Sequence, residues 1–219
     1  MTNELEKLRQ EIHELGLSVS EPQMAALIQY LDILEITNQS FNLTRIPRAE
    51  YVTLHLLDSL SCLLEIEPGK DLRILDVGTG AGFPGVPLAA ALPAALLTLL
   101  DSTAKKVRFV TETAKQCGIN NLIGVHGRAE LLAKSPEHRG AYDVVVSRAV
   151  AAYPKLLEWL LPFAKKGGRV IAMKGIGYLE EMQGSEELVK RLGGQFEKIR
   201  SVRLPGTDIE RFLIVVRRG

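Results

Sequence analysis

Apolar residues recur at helical spacing through the first third of the chain and gather into short continuous runs through the remainder. Between Glu4 and about Glu65, Leu5, Leu8, Ile12 and Leu15, then Leu27, Leu31 and Leu34, then Leu56, Leu57, Leu60 and Leu64 fall on helix faces. Ser20 followed by Gln23, with Pro22 in the first turn, is a capping-box start for the second helix. The Asn, Ser and Pro residues between Asn38 and Pro47 predict a loop. Residues 1–67 are therefore read as a helical N-terminal extension, and Pro68-Gly69-Lys70-Asp71 as the linker that begins a second unit, residues 68–219.

In that second unit the runs are Leu72 to Val77, Leu96 to Leu100, Leu122 to His126, Tyr142 to Ser147 and Arg169 to Met173. Amphipathic stretches lie between them, among them Lys105 to Cys117, closed by Gly118, and Lys155 to Ala164. Apolar strands alternating with helices predict an α/β fold with a parallel sheet covered on both faces. The alternation ends at Phe196 to Leu204 and Arg211 to Val216, joined by Pro205-Gly206-Thr207-Asp208, which leaves no room for a crossover helix. The last strand should therefore run antiparallel to the rest. Val86 to Leu100 is too short for the ~20 apolar residues of a membrane span and contains Pro87 and Pro93, so it divides into a short helix and a buried strand.

Composition narrows the classes. The 219 residues are 46% hydrophobic and 24% charged, the balance of a globular protein. Lys+Arg 27 against Asp+Glu 26 gives a net charge of +1, so any nucleic-acid contact must come from a local patch. Cys62 and Cys117 lie far apart without metal-type pairing, and the charged start Met1-Thr2-Asn3-Glu4 lacks a signal-peptide apolar region. A cytoplasmic protein with reduced thiols is expected.

The sharpest chemical feature is Asp76-Val77-Gly78-Thr79-Gly80-Ala81-Gly82-Phe83-Pro84-Gly85, directly after the first strand of the α/β unit. Gly80, Gly82 and Gly85 match the dinucleotide fingerprint in spacing, but three observations favour S-adenosylmethionine over NAD. The glycines begin earlier, at Gly78, behind an acidic Asp76 that could orient the turn or meet a cationic ligand. Pro84 and Pro87 remove N–H groups that a pyrophosphate would need. The terminal hairpin, finally, resembles the end of the seven-stranded sheet of class I methyltransferases. Asp101 ends the second strand, where a carboxylate accepts from ribose hydroxyls; its alternative role is to cap the helix beginning near Thr103. Glu130, after the third strand, could meet an adenine amino group or stand as an exposed loop glutamate.

The chain as a whole resembles the bacterial small-subunit ribosomal RNA guanine-N7 methyltransferases, the glucose-inhibited division protein B family. The resemblance is carried by Asn42-Leu43-Thr44, His55 with Asp58-Ser59-Leu60, the glycine turn with its Phe83-Pro84-Gly85 ending, Leu100-Asp101-Ser102, Arg128-Ala129-Glu130, Ser147-Arg148-Ala149-Val150 and Lys174-Gly175. It implies a class I S-adenosylmethionine-dependent fold with a Rossmann-like seven-stranded sheet, and cofactor contacts at Gly78, Phe83, Ala129, Glu130 and Arg148, to which the glycine turn and the second strand end add Gly80, Asp101 and Ser102 as expected contacts. It also implies 16S rRNA within the small subunit as substrate; Asn42, His55, Lys105, Lys106 and Lys174 are expected toward the RNA, and the enzyme is expected to be a monomer. The chain departs from the family pattern at Thr103 and Leu131, where leucine and a second acid are commoner.

Guanine N7 carries a free lone pair, so no residue is assigned as general base and catalysis is positional, through Arg148 and Lys174. Arg148 could hold a methionine carboxylate, guanine O6 or a phosphate, or form a rim salt bridge. His55 and Asp58 share a helix face, with too few ligands nearby for zinc; packing and RNA contact both remain open for them. Trp159, among Leu156, Leu157 and Leu160, reads as core. Lys105-Lys106 with Arg108, Lys165-Lys166 with Arg169, and Arg217-Arg218 could supply phosphate contacts if they share a face. The rival functions are a small-molecule methyltransferase, a cofactor-binding ribosome-assembly factor without turnover, and an NAD oxidoreductase.

Overall fold

A computed structural model describes residues 2–67, 71–148 and 151–219. Pro68, Gly69 and Lys70 of the expected linker, and Ala149 and Val150 of the fourth-strand motif, lie outside the described residues. Helix α1 (Thr2–Glu14) leads into α2 (Glu21–Asn38), whose start is fixed by the Gln23 side chain accepting the Ser20 N–H at 2.8 Å. After an irregular loop and a 3-10 turn (Arg48–Glu50), a wide π-turn (Val52–Leu57) passes into α3 (Asp58–Leu60) and a closing 3-10 turn, Ser61–Glu65.

The α/β unit then runs β1 (Arg73–Val77), α4 (Gly85–Ala91), β2 (Leu96–Asp101), α5 (Ala104–Gln116), β3 (Leu122–His126), α6 (Ala129–Leu132), β4 (Tyr142–Arg148), α7 (Tyr153–Leu160) and β5 (Ala164–Lys174). It ends with α8 (Tyr178–Met182), α9 (Ser185–Arg191), β6 (Gly194–Arg203) and β7 (Glu210–Arg218). The strands form one seven-stranded sheet in the order β3-β2-β1-β4-β5-β7-β6, with β1 to β5 parallel and β7 antiparallel to both of its neighbours, as the terminal hairpin requires.

Two readings of the sequence are corrected. The helix expected to reach Ala164 stops at Leu160, and β5 begins at Ala164 rather than Arg169. Lys165 to Gly168 is too polar to read as strand, yet Ala164 pairs with Tyr142 before a register shift, and Gly168 packs its backbone where a Cβ would meet Asp143 O at 3.0 Å. The short helices α8 and α9 give no sequence period and are additions.

Alternation along the strands divides the core. Ile74, Val144, Val146 and Ile171 face one side, with Leu8, Leu27, Leu31, Leu34, Leu56 and Leu60 of the helical extension packed on it. Leu75, Val145, Val170 and Ala172 face the other, under Tyr153, Leu156, Leu157 and Leu160 of α7. Each fully buried leucine stabilises the fold by about 1.5–3 kcal/mol, so the extension is held chiefly by its apolar face.

Candidate functional site

The glycine turn after β1 is shaped by four groups. Asp76 is fully buried and its Oδ2 accepts the Gly85 N–H at 2.9 Å, so it orients the turn from beneath; burial pushes its carboxyl up to about 7. Gly85 must lack a side chain, because a Cβ there would lie 2.1 Å from Leu99 Cδ2. Gly82 has φ +97° and lies against Tyr30, whose hydroxyl donates to Ala81 O at 2.8 Å from the helical extension. The Gly80 N–H donates to Asp101 Oδ2 at 3.0 Å.

Above this turn, at the carboxyl ends of β1, β2 and β3, opens a crevice of about 430 Å³. The structure brings Gly78, Gly80, Asp101, Ser102, Ala129 and Glu130 together on its walls, six of the eight residues the sequence assigned to the cofactor. Asp101 Oδ1 accepts the Thr103 N–H at 2.8 Å beside the start of α5, and its carboxylate also borders the crevice with lone pairs to spare. Glu130 is half-exposed and paired with Arg128 at 2.7 Å. Lys106, expected on an RNA face, and Trp159, expected in the core, also line this crevice. Trp159 is half-buried, packed against the cluster of Leu156, Leu157 and Leu160 while it also lines the crevice.

Phe83 and Arg148 do not border the crevice. Phe83 is buried between the extension and the sheet, stacked on the His55 ring at 4.2 Å between centroids and edge-on to Tyr30. Arg148, at the end of β4, turns toward the same seam. Its guanidinium donates to Leu54 O at 2.7 Å, Asp58 Oδ2 at 2.9 Å and His55 Nδ1 at 3.2 Å. A guanidinium only donates, so His55 carries its proton on Nε2 and gives it to Thr44 Oγ1 at 3.0 Å. Burial and then the adjacent Arg148 charge lower His55 to about 3. The expected RNA contact at His55 is therefore replaced by packing, with both ring nitrogens engaged inside the protein. The rim salt bridge envisaged for Arg148 is instead a buried hub, since Asp58 also accepts from Arg211 of β7 at 3.1 Å.

A second cavity of about 730 Å³ opens at the ends of β4 and β5, walled by Asp58, Arg148, Met173, Lys174, Glu181 and Arg211 among others. Lys174, expected at the substrate, is here; its ammonium donates to Ala151 O at 2.6 Å and to Glu181. Arg211 and Glu181 were not singled out from the sequence, and a strand arginine and a short-helix glutamate carry no local signal that would have found them.

Asn42 is exposed, and next to it Phe41 lies under Lys105 Nζ at 3.9 Å, so the loop before Pro47 and the start of α5 meet on one surface. The other basic clusters do not join them. Lys165, Arg169 and Arg217 lie at the opposite end of the parallel strands, paired with Asp143, Glu67 and Glu197. Among the described residues no group of three or more His, Cys, Asp or Glu side chains could hold a metal ion, and no helix is long and apolar enough to cross a membrane.

The profile of the family described as GidB, rRNA small subunit methyltransferase G, matches residues 23–209. A ribosomal RNA small subunit methyltransferase G from Alkaliphilus oremlandii is 42% identical over 212 residues, 96% of this chain and 89% of the relative. A protein of the same description from Halalkalibacterium halodurans is 37% identical over 216 residues, 98% and 91% of the two chains. Among solved structures, a SAM dependent methyltransferase from Aquifex aeolicus superposes with a TM-score of 0.57 over 76% of this chain and 92% of that one, at 18% identity. That likeness is one of fold.

Proposed function

Because the chain belongs to the rRNA small subunit methyltransferase G family, we propose that it transfers the methyl group of S-adenosylmethionine to N7 of a guanosine in 16S rRNA, within the small ribosomal subunit. The observation that carries this reading is the adjacency of two concavities on one sheet edge. The crevice over β1 to β3 and the cavity over β4 and β5 stand side by side where an open α/β sheet takes its ligands.

The donor set fits the cofactor. Asp101 would accept from the ribose hydroxyls and Glu130 from the adenine amino group, while Gly78 and Gly80 let the backbone approach closely. The volume falls in the roughly 300–1,000 Å³ range of small-molecule sites. When bound, the cofactor supplies an electrophilic methyl group on a sulfonium. This chain's part is to orient the base and exclude water, for which effective molarities rather than proton transfer provide the rate. No base is assigned, and His55, held neutral with both nitrogens engaged, does not act as one. Arg148 acts by fixing the wall between the two concavities, and Lys174 by donating to the base.

The surface formed by Asn42, Lys105 and Arg108 would meet RNA phosphate and sugar. With a net charge of +1 the protein has little non-specific attraction for RNA, so a folded ribonucleoprotein that presents shape should be methylated far better than a naked hairpin. The enzyme is read as a cytoplasmic monomer, built of the extension (1–67) and the Rossmann-like body (68–219).

The test uses radiolabelled S-adenosylmethionine and small subunits from cells lacking this protein. Label should enter 16S rRNA, and borohydride and aniline should cut the strand at the labelled nucleotide. Label on a strand that stays intact would move the reaction to another atom, and equal rates on a short naked hairpin would reject the subunit as substrate.

A further inference from the structure

Two carboxylates border the cavity over β4 and β5, and their situations differ. Asp58 is saturated by Arg148 on one oxygen and Arg211 on the other. Glu181 is only half engaged. Its Oε2 accepts the Tyr153 N–H at 2.9 Å and the Lys174 ammonium, while among the described residues Oε1 accepts nothing, and the side chain is 36% exposed on the cavity wall. Two donors hold one oxygen, so the direction in which the other is presented is fixed. Among the described residues Lys174 spends two of its three N–H donors, on Ala151 O and Glu181, and keeps one.

Adenine and guanine both carry N7, so an enzyme that modifies only guanine must read another part of the base. Guanine has two neighbouring donors, N1–H and N2–H, beside the acceptor O6. Adenine places a bare nitrogen at N1 and a donor at C6. A carboxylate oxygen attracts the first pattern and is repelled by the lone pair of the second, while a lysine donor pairs with the guanine O6 and is opposed by the amino group adenine carries there. Resting on the N7 reading above, we infer that Glu181 selects guanine, its free Oε1 accepting from the N1–H and N2–H edge while the remaining Lys174 proton meets O6.

The order of elements gives this placement its direction. The cofactor crevice lies over β1 to β3, Arg148 ends β4, and Lys174 and Glu181 lie at and just beyond the end of β5. A purine with its Watson–Crick edge on Glu181 carries N7 on the adjoining edge, just beyond O6, and with Lys174 at O6 that edge faces β4 and the crevice beyond it.

The experiment compares guanosine with inosine, which keeps N1–H, O6 and N7 but lacks the 2-amino group. The modified position is first mapped by strand scission with the unaltered enzyme, and subunits are then assembled from ligated RNA carrying either base there. The unaltered enzyme should favour guanosine by about tenfold or more in kcat/KM, the effect of one hydrogen bond to a charged acceptor. In Glu181→Gln the amide oxygen must face Tyr153 N–H and Lys174, both donors, which aims the NH2 at the incoming base donors. Guanosine kcat/KM should then fall about a hundredfold and the guanosine preference should shrink to within about threefold, with unchanged affinity for S-adenosylmethionine by calorimetry. Glu181→Ala, which removes both oxygens, should also lose the preference. If either variant binds the cofactor normally yet loses activity equally on both bases, Glu181 merely holds Lys174 and the assignment is overturned. Absence of cleavable label with the unaltered enzyme would overturn the N7 reading itself, and this assignment with it.

Discussion

Arg148→Ala should cost the protein stability as well as turnover. The guanidinium, 15% exposed, meets Asp58, which is 3% exposed, and also satisfies Leu54 O and His55 Nδ1. Removing one partner of a buried ion pair costs about 3–5 kcal/mol, and because Asp58 keeps Arg211 the lower end, about 3 kcal/mol, applies here. With a urea m-value of roughly 2–3 kcal/mol/M, the unfolding midpoint should fall by about 1 M, read by circular dichroism. The deficit should also depend on pH. His55 titrates at about 3 in the folded protein against an ordinary value of 6.5, so the unfolded chain binds the extra proton between those values. Stability is therefore lost as pH falls through that window, by up to about 1.4 kcal/mol per unit. Without the Arg148 charge the folded His55 takes its proton at higher pH, so the variant loses less on acidification and its deficit against the unaltered protein narrows below pH 6. A midpoint shift under about 0.3 M, or a deficit that stays constant from pH 7 to pH 4.5, would refute this account of the hub.

Asp101→Ala removes the acceptor of the Gly80 and Thr103 N–H groups and should weaken S-adenosylmethionine binding by at least about tenfold in calorimetry, with no NAD binding in either form; unchanged affinity would reject the crevice assignment. Gly85→Ala places a methyl 2.1 Å from Leu99 Cδ2 and against Asp76, and should lower stability by about 1–3 kcal/mol in the same urea assay. Asp76 keeps its proton up to about 7 when folded but only to about 4 unfolded, so its contribution declines as pH rises between them; Asp76→Asn should gain on the unaltered protein over that range, and a flat difference would count against it. The single-turnover rate at saturating substrate should show no ascending limb from a catalytic base between pH 5 and 8, since neither N7 nor His55 has a proton to lose there and Asp76, which titrates at about 7, lies buried beneath the turn and away from the base.

The parallel strands and the glycine crevice were legible because each rests on local pattern. Ile74 and Leu75, or Val144, Val145 and Val146, must be apolar on both faces, and the turn must carry Gly82 and Gly85 where Tyr30 and Leu99 leave no space. What escaped was decided by distant partners. Arg148 and His55 look outward in sequence, and only the approach of Asp58 and Leu54 turns them inward. The first residues of β5 are strand because Tyr142 stands opposite Ala164, although Lys165 to Gly168 argue for a loop. Trp159 packs on the core as its neighbours suggest, but only the coordinates show that it also lines the crevice. The basic clusters equally needed coordinates, because only the strand direction separates Lys105 from Arg169 by the height of the sheet.

The Tyr30 hydroxyl on Ala81 O and the Phe83 ring on His55 join the helical extension to the wall of the glycine turn, in a buried cluster that runs from Leu8 through Ile74 to Leu213. A seam in the sequence near residue 67 is thus not a seam in the interior. A chain severed there should behave as a complementing pair of fragments, each presenting the other's missing apolar face, and the reassembled pair should melt in one transition. Methyl donor binding would then serve as the reporter of reassembly, because a crevice whose turn is braced by Tyr30 forms only when both pieces are present.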